Sequence, residues 1–201
     1  MKKSRLYHAI VFIFKPIIKL IYRVEITGQD NIPKSGRVIL CPNHTSLADP
    51  LILAISVNRQ IFYMGKEELF RNKIFARLLS ALGAFPVSRG KGDKAAINSA
   101  KSILRKGNVL GLFLEGTRSK TGDFLRPKTG AALIAFDTYT KIVPICICGK
   151  KEFKIKAFRR NLISIGKPLD IKDLGINEGT GKEFRDASRL IMEKIRELKT
   201  V

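Results

Sequence analysis

The feature that most constrains the fold of this chain is the alternation of short apolar runs with helical patterns over most of its length. Runs such as residues 37–41 and 142–148 have the length of buried strands, and the alanine-rich segment 129–139 has the composition of a helix. Such alternation is typical of α/β domains, in which a mostly parallel sheet lies between layers of helices. We therefore predict a single α/β domain with a central, mostly parallel sheet flanked by helices.

Turn and capping residues divide the predicted elements. Gly83 and Gly107 stand at the ends of two helical patterns, where glycine is favoured. Pro50 falls in the first turn of a third helix, where proline is tolerated. The patterns predict strands at 24–28, 37–41, 61–64, 84–87, 109–114 and 142–148, two strands within 154–165, and helices at 46–57, 67–82, 92–106, 129–139 and 181–200.

Polar and charged residues follow four of the predicted strands. They are His44, Lys66, Arg89 and the pair Glu115 and Arg118. Ligands of open α/β sheets bind at the carboxyl ends of the strands, so we expect these side chains at one site. Three cations around one histidine indicate a substrate that carries phosphate, because arginine forks and lysine charges both bind phosphate oxygens.

His44 is the candidate general base. The chain has two histidines, and His44 stands five residues before Asp49. A carboxylate bonded to one ring nitrogen leaves the other nitrogen free to accept a proton. The same residues also fit a helix capping box, in which Ser46 caps the helix and Asp49 reaches back to a free amide.

Simpler interpretations remain open for the other candidates. Lys66 and Arg89 fit solvated surface cations, and Glu115 and Arg118 fit a structural ion pair in a turn. The chain lacks a G-x-S-x-G elbow and a phosphate loop, and its three cysteines lie in apolar runs typical of reduced core thiols. We therefore expect direct transfer, in which a bound hydroxyl loses its proton and attacks an activated carbonyl. No metal or organic cofactor is expected.

The formal net charge of +21 predicts an anionic partner. The chain has no tryptophan and few aromatic residues interleaved with basic ones, which disfavours nucleic acid. Residues 1–23 form an apolar run broken by Lys15, Pro16 and Lys19, which fits an amphipathic helix in a membrane interface better than a spanning helix. A helix packed on its own domain is the alternative. The remaining residues, 24–201, would form the second unit.

Four blocks of the sequence resemble those of the glycerolipid acyltransferases, most closely the 1-acylglycerol-3-phosphate acyltransferases. The four blocks are residues 43–49 (NHTSLAD, the N-H-x4-D block), 83–89 (GAFPVSR), 113–119 (FLEGTRS) and 143–145 (VPI). Pro86 departs from the second block, where an apolar residue is more usual. The resemblance covers residues 24–165.

The resemblance implies a role for each matching residue. His44 would be the base and Asp49 its partner, and Arg89 would bind the phosphorylated acceptor. Residues 115–118 would belong to the acceptor site, and Lys66 stands where the family often has a lysine that contacts phosphate. The site residues expected on this basis are His44, Asp49, Lys66, Arg89, Glu115, Gly116, Thr117 and Arg118.

The implied reaction moves a fatty acyl group from acyl-CoA or acyl-carrier protein to the free hydroxyl of 1-acylglycerol 3-phosphate (lysophosphatidic acid), giving phosphatidic acid. The net positive charge would hold such an enzyme at the anionic cytoplasmic face of the membrane. One alternative is an acyltransferase that acts on glycerol 3-phosphate, another lysophospholipid or a lyso-aminolipid. A more distant alternative is a basic binding protein without enzymatic activity.

Overall fold

The computed structural model describes residues 5–87, 94–150 and 153–200. Within these residues, seven strands form one sheet in the order β1-β7-β6-β2-β5-β3-β4. All neighbouring strands run parallel except β6 and β7. The strands are β1 (Val24–Thr27), β2 (Val38–Pro42), β3 (Ile61–Lys66), β4 (Ala84–Val87), β5 (Val109–Gly111), β6 (Ile142–Gly149) and β7 (Asn161–Ile165).

Helices cover both faces of the sheet, so the predicted α/β architecture is confirmed. Alternate residues of β2 point to opposite faces: Ile39 packs with α4, α5 and α6, and Leu40 packs with α2 and α1. Both side chains are fully buried, and truncating either to alanine is expected to cost about 2–5 kcal/mol. The helices are α1 (Arg5–Tyr22), α2 (Asp49–Ser56), α3 (Lys73–Ala81), α4 (Lys94–Arg105), α5 (Gly130–Thr138) and α6 (Gly181–Glu197).

Two predicted helices differ most from the observed bounds. The first begins at Asp49, three residues later than expected, because residues 45 and 46 donate their amides to the Asp49 carboxylate. The predicted helix 67–82 is two elements, a 3-10 helix at Glu67–Phe70 and then α3. The side chain of Asn72 accepts a hydrogen bond from the amide of Ile74, so a new helix begins there. In addition, the predicted helix 181–200 ends at Glu197 with a 3-10 turn after it, and the first two residues of the predicted helix 92–106 lie outside the described residues.

Two strand predictions also differ from the structure. β5 ends at Gly111, although the amides of Leu112 and Leu114 still donate to carbonyls of β2 and its end. The segment 154–165 contains one strand, β7, instead of two. Residues 154–160 form a loop because Phe158 has a left-handed backbone (φ 60°) and Asn161 bonds to backbone groups within the loop. Lys66, predicted to follow a strand, is the last residue of β3.

Helix α1 continues through Pro16 instead of breaking there. Tyr7 is buried, and Ile18 and Tyr22 pack against the core, so one side of the helix is bound to the domain. Large apolar side chains on its remaining surface are exposed. Among the described residues, no helix combines the length and the apolar content needed to cross a bilayer. The exposed apolar side chains are Leu6, Phe12, Ile13, Phe14, Ile17 and Leu20.

Candidate active site

His44 lies in the short connection between β2 and α2, at the carboxyl edge of the central strands. Its Nδ1 is 2.8 Å from Oδ2 of Asp49, which is fully buried, while 16% of the His44 side chain is exposed. Because a carboxylate is an acceptor, this contact places the proton of a neutral ring on Nδ1. No described residue bonds to Nε2, which is therefore open to a ligand.

Asp49 combines both roles that the sequence left open. Besides His44, its Oδ2 accepts hydrogen bonds from the backbone amides of Thr45 (2.7 Å) and Ser46 (2.8 Å). Asp49 therefore accepts from preceding amides, as the capping box predicts. The residue at the helix N-cap is Ala48 instead of Ser46, and it supplies no side-chain cap. One carboxylate oxygen thus organises the loop and orients the histidine ring together.

An aromatic side chain covers one face of the His44 ring. Phe113 stacks on it with ring centroids 4.0 Å apart and an angle of 26° between the planes. Tyr63 stacks behind Phe113 at 6.3 Å, and its hydroxyl donates to the carbonyl of Pro50 at the start of α2. The ring is therefore held by the Asp49 bond at one edge and by packing on one face.

Glu115 is buried and bonded to the backbone on both sides. Its Oε1 accepts from the amide of His44 (3.1 Å), and its Oε2 accepts from the amide of Leu125 (3.3 Å). Burial raises the pKa of this carboxyl, and the two amide bonds oppose the rise. In the described structure Glu115 makes no ion pair with Arg118; it attaches the His44 loop to the loop that follows β5.

Asn43 is a positioning residue that the sequence analysis did not single out. Its fully buried side chain donates to the carbonyl of Ile147 (2.9 Å) and accepts from the amide of the same residue (2.7 Å). On the other side of the loop, the amide of Ser119 donates to the carbonyl of His44 (2.8 Å). A buried asparagine directly after an apolar strand was the available signal, because such a side chain needs partners.

The other expected site residues are exposed or lie outside the described residues. Gly116 has a left-handed backbone (φ 69°) and donates its amide to the carbonyl of Phe113, so this amide is already bonded. Thr117, Arg118 and Lys66 are exposed. Arg89 lies outside the described residues. Among the described ones, the structure joins His44, Asp49 and Glu115 directly and leaves the cations without ion pairs.

The three cysteines are free and buried. Burial raises the pKa of the Cys41 thiol well above its usual range, which keeps it protonated. Cys41 precedes His44 in the chain, but its side chain lies in the core with Ile39. The thiol therefore packs as an apolar group and does not compete with the histidine as a reactive site.

A model of the acyltransferase family matches residues 23–148, more than half of the chain. A 1-acyl-sn-glycerol-3-phosphate acyltransferase of Bacillus subtilis is 34% identical over 163 residues, which cover 79% of this chain and 80% of the relative. One of the same name from Borreliella burgdorferi is 33% identical over 136 residues, 67% of this chain, and the match spans 54% of that relative's length.

The fold also matches a solved structure. The crystal structure of the 1-acyl-sn-glycerophosphate acyltransferase PlsC from Thermotoga maritima superimposes with a TM-score of 0.75 at 25% identity, covering 97% of this chain and 82% of that chain. The resemblance that the four sequence blocks predict is thereby confirmed. The matched segment contains His44, Asp49 and residues 115–118. This chain belongs to the acyltransferase family, and its relatives are named as enzymes that acylate 1-acylglycerol 3-phosphate.

Proposed function

We propose that this chain transfers a fatty acyl group from acyl-CoA or acyl-carrier protein to the free sn-2 hydroxyl of 1-acylglycerol 3-phosphate, forming phosphatidic acid. The observation that carries the proposal is the bond from His44 to buried Asp49 at the carboxyl edge of the sheet, with Nε2 left open. The names of the relatives supply the acceptor.

In this reaction His44 is the general base. With Nδ1–H donated to Asp49, Nε2 accepts the proton of the acceptor hydroxyl. The hydroxyl oxygen attacks the thioester carbonyl carbon, the new C–O bond forms and the C–S bond breaks. The proton then passes from Nε2 to the departing thiolate. No acyl-enzyme intermediate is formed, in keeping with the burial of all three thiols.

The acceptor phosphate would be held by cations that border this edge. Lys66 ends β3 and Arg118 follows the Glu115 turn, and both are exposed. Arg89 completes the set that the sequence analysis predicts. Phosphate binding by arginine and lysine would orient the free hydroxyl toward His44, which is the positioning effect that direct transfer requires.

The acyl donor and the working surface are part of the same proposal. The net charge of +21 favours an acidic carrier protein or the phosphates of coenzyme A as donor, and an anionic bilayer as surface. Helix α1 would lie in the cytoplasmic interface of that bilayer, since its exposed side carries Leu6, Ile13, Ile17 and Leu20. His44 would then face lipid substrates at the membrane surface.

The test is a comparison of acceptors with the purified chain in detergent. Phosphatidic acid formation from lysophosphatidic acid is measured with acyl-CoA and with acyl-carrier protein, beside glycerol 3-phosphate and lysophosphatidylcholine. We expect lysophosphatidic acid to have the highest kcat/KM, by about 10-fold or more, because its phosphate and its sn-1 chain both contribute binding energy. A preference for another acceptor would assign the same chemistry to a different substrate. No transfer to any acceptor would favour the non-enzymatic alternative.

A further inference from the structure

A basic pocket lies beside the candidate active site but outside it. The pocket has a volume of about 360 Å³, and of the nine described residues that line it six are lysine or arginine and none is acidic. It borders the carboxyl end of β6, the strand next to β2, so it opens at the same edge of the sheet as His44. The six cations are Arg23, Lys150, Lys154, Lys156, Arg159 and Arg160.

The loop that forms this pocket is held in place by a buried side chain. Asn161 is fully buried, and its amide nitrogen donates to the carbonyls of Tyr22, Lys156 and Arg159. Its Oδ1 accepts from the amide of Lys156 (3.1 Å). These bonds attach the loop to the end of α1, so hydrogen bonds of a buried side chain fix the backbone that carries the cations.

Two residues of the pocket have left-handed backbones that side chains seldom adopt. They are Arg23 (φ 42°) and Phe158 (φ 60°), and such conformations collect at functional sites. The amide of Phe158 donates to the carbonyl of Ile21 (2.6 Å), while 70% of its side chain is exposed. An aromatic ring thus projects from the centre of a basic cluster, next to the end of α1.

Within the part of the chain that the structure describes, one carboxylate forms salt bridges with the pocket cations. Glu25 contacts two of the cations, Lys150 at 3.8 Å and Arg160 at 3.9 Å, and both contacts are long. Six lysine and arginine side chains around one cavity favour an anionic ligand. The loop is bonded to the end of α1, and that helix exposes apolar side chains, among them Leu20 three residues before the pocket residue Arg23. Cations beside exposed apolar groups are typical of surfaces that lie in a bilayer interface.

We propose that this pocket binds the phosphate headgroup of an anionic phospholipid in the bilayer on which α1 lies. The headgroup would occupy the cavity, and Phe158 and the apolar stripe of α1 would enter the interface around it. A concave pocket of this size fits a single headgroup better than the convex acidic helix of a carrier protein. The proposal rests on the proposed function only in taking the membrane as the working surface; the ligand is distinct from the acceptor bound near His44.

Vesicle binding of two matched double variants tests the proposal. Lys154→Gln/Arg159→Gln removes two pocket cations and leaves the pairs with Glu25 in place. The control, Lys172→Gln/Lys182→Gln, removes the same charge from another part of the surface. Lys182 is in the first turn of α6, and Lys172 follows Leu169, which pairs with Ile142 at the start of β6, the end of that strand opposite to the pocket. Binding is measured by flotation with phosphatidylglycerol–phosphatidylcholine vesicles (1:1) and with pure phosphatidylcholine vesicles.

We expect the pocket variant to bind the anionic vesicles about 10-fold more weakly or worse, and the control to change by about 2-fold or less. Binding to phosphatidylcholine should be the same for both. An equal loss of binding to anionic vesicles in both variants would show that only the net charge matters, and would overturn the proposal. Unchanged vesicle binding, with weaker capture of an acyl-carrier protein, would also overturn it and assign the pocket to the donor. The readout needs no turnover, so it is independent of the proposed reaction.

A second variant separates the apolar contribution. Phe158→Asn removes the exposed ring but keeps a residue that tolerates a left-handed backbone. We expect weaker binding to both vesicle compositions, because the ring would enter the interface whatever the headgroup. Unchanged binding to both would contradict the placement of this loop at the membrane.

Discussion

The two halves of the candidate active site differ in how firmly the fold holds them. The base half is fixed: Asp49 and Phe113 hold the His44 ring, and Asn43 and Glu115 hold its backbone. In the cation half, Lys66 and Arg118 are exposed, and no described residue pairs with them. The proposed base is thus oriented before substrate arrives, whereas the exposed side chains proposed to bind phosphate stay hydrated until an anion replaces the water.

This difference has a physical reason. A general base must keep its geometry to within a fraction of an ångström for proton transfer, so its orientation is best fixed in advance. A bound phosphate can itself order flexible cations, because each new charge-assisted hydrogen bond offsets the lost side-chain freedom. Substitutions in the first half should therefore lower kcat, and substitutions in the second half should mainly raise KM.

The largest effect is expected from His44→Ala. Without the base, kcat for phosphatidic acid formation should fall by about 10³–10⁴-fold, the upper range for general base catalysis. The matched control is His8→Ala, which removes the other histidine of the chain, in α1. In detergent this control should stay within about 2-fold of wild type, as surface changes away from a site do. Equal losses of kcat in both variants would contradict the assignment of His44 as the base.

The next effect is expected from Asp49→Asn. The neutral amide lacks the negative charge that stabilises a protonated His44 ring, and its oxygen is a weaker acceptor for Nδ1–H and the two backbone amides, so the ring is held less firmly. We expect kcat to fall by about 10²–10³-fold. Thermal unfolding of the same variant separates loss of orientation from loss of fold. A variant that unfolds like wild type and retains its activity would show that the negative charge of Asp49 is not needed for the reaction.

Glu115 tests what holds the base half in place. Glu115→Ala leaves the part-buried amides of His44 and Leu125 without this acceptor, at an expected cost of about 1–3 kcal/mol in the free energy of unfolding. Glu115→Gln keeps one acceptor and should cost less. Urea unfolding of both variants measures this difference, and equal losses would contradict the bonding role of the carboxylate.

The pH dependence of this comparison has a definite sign. The pKa of Glu115 is raised in the folded state by burial, so the folded protein favours the protonated carboxyl. Relative to Glu115→Gln, wild type should be most stable below the pKa of the unfolded chain and should lose stability as the pH rises through the folded pKa. A gain of relative stability with rising pH would contradict a raised pKa of Glu115 in the folded protein.

The smallest effect is expected from the cation half. Arg118→Gln removes a single exposed phosphate contact, and KM for lysophosphatidic acid should rise by about 10-fold with kcat almost unchanged. Lys120→Gln is the matched control, an exposed cation of the same loop. A KM that rises equally in both variants would show that the general positive field, and not a specific contact, retains the acceptor.

The sequence predicts the parts of this site that depend on local spacing. His44 and Asp49 are five residues apart, and one short loop brings them into contact. The burial of β2 followed from its unbroken apolar run. Asn72 is a signal for the start of α3, because asparagine is a favoured helix cap. The apolar periodicity on both sides of it nevertheless predicts one continuous helix, 67–82.

The remaining contacts depend on strand order, which periodicity does not contain. Asn43 bonds to Ile147, 104 residues away, because β6 lies next to β2. Glu115 reaches His44 because β5 lies on the other side of β2. The same holds for Phe113, whose stacking on the histidine requires β5 and β2 to end together. The motif alone places Glu115 in the acceptor site, whereas its described contacts are with backbone amides.

The most direct test of the account measures kcat and KM for lysophosphatidic acid in His44→Ala and Arg118→Gln, side by side with wild type. We expect His44→Ala to lose about 10³-fold or more in kcat with KM within about 3-fold, and Arg118→Gln to raise KM by about 10-fold with kcat almost unchanged. Retention of more than about a tenth of kcat by a folded His44→Ala protein would contradict the central claim that this histidine is the base, since general base catalysis contributes at least about 10²-fold.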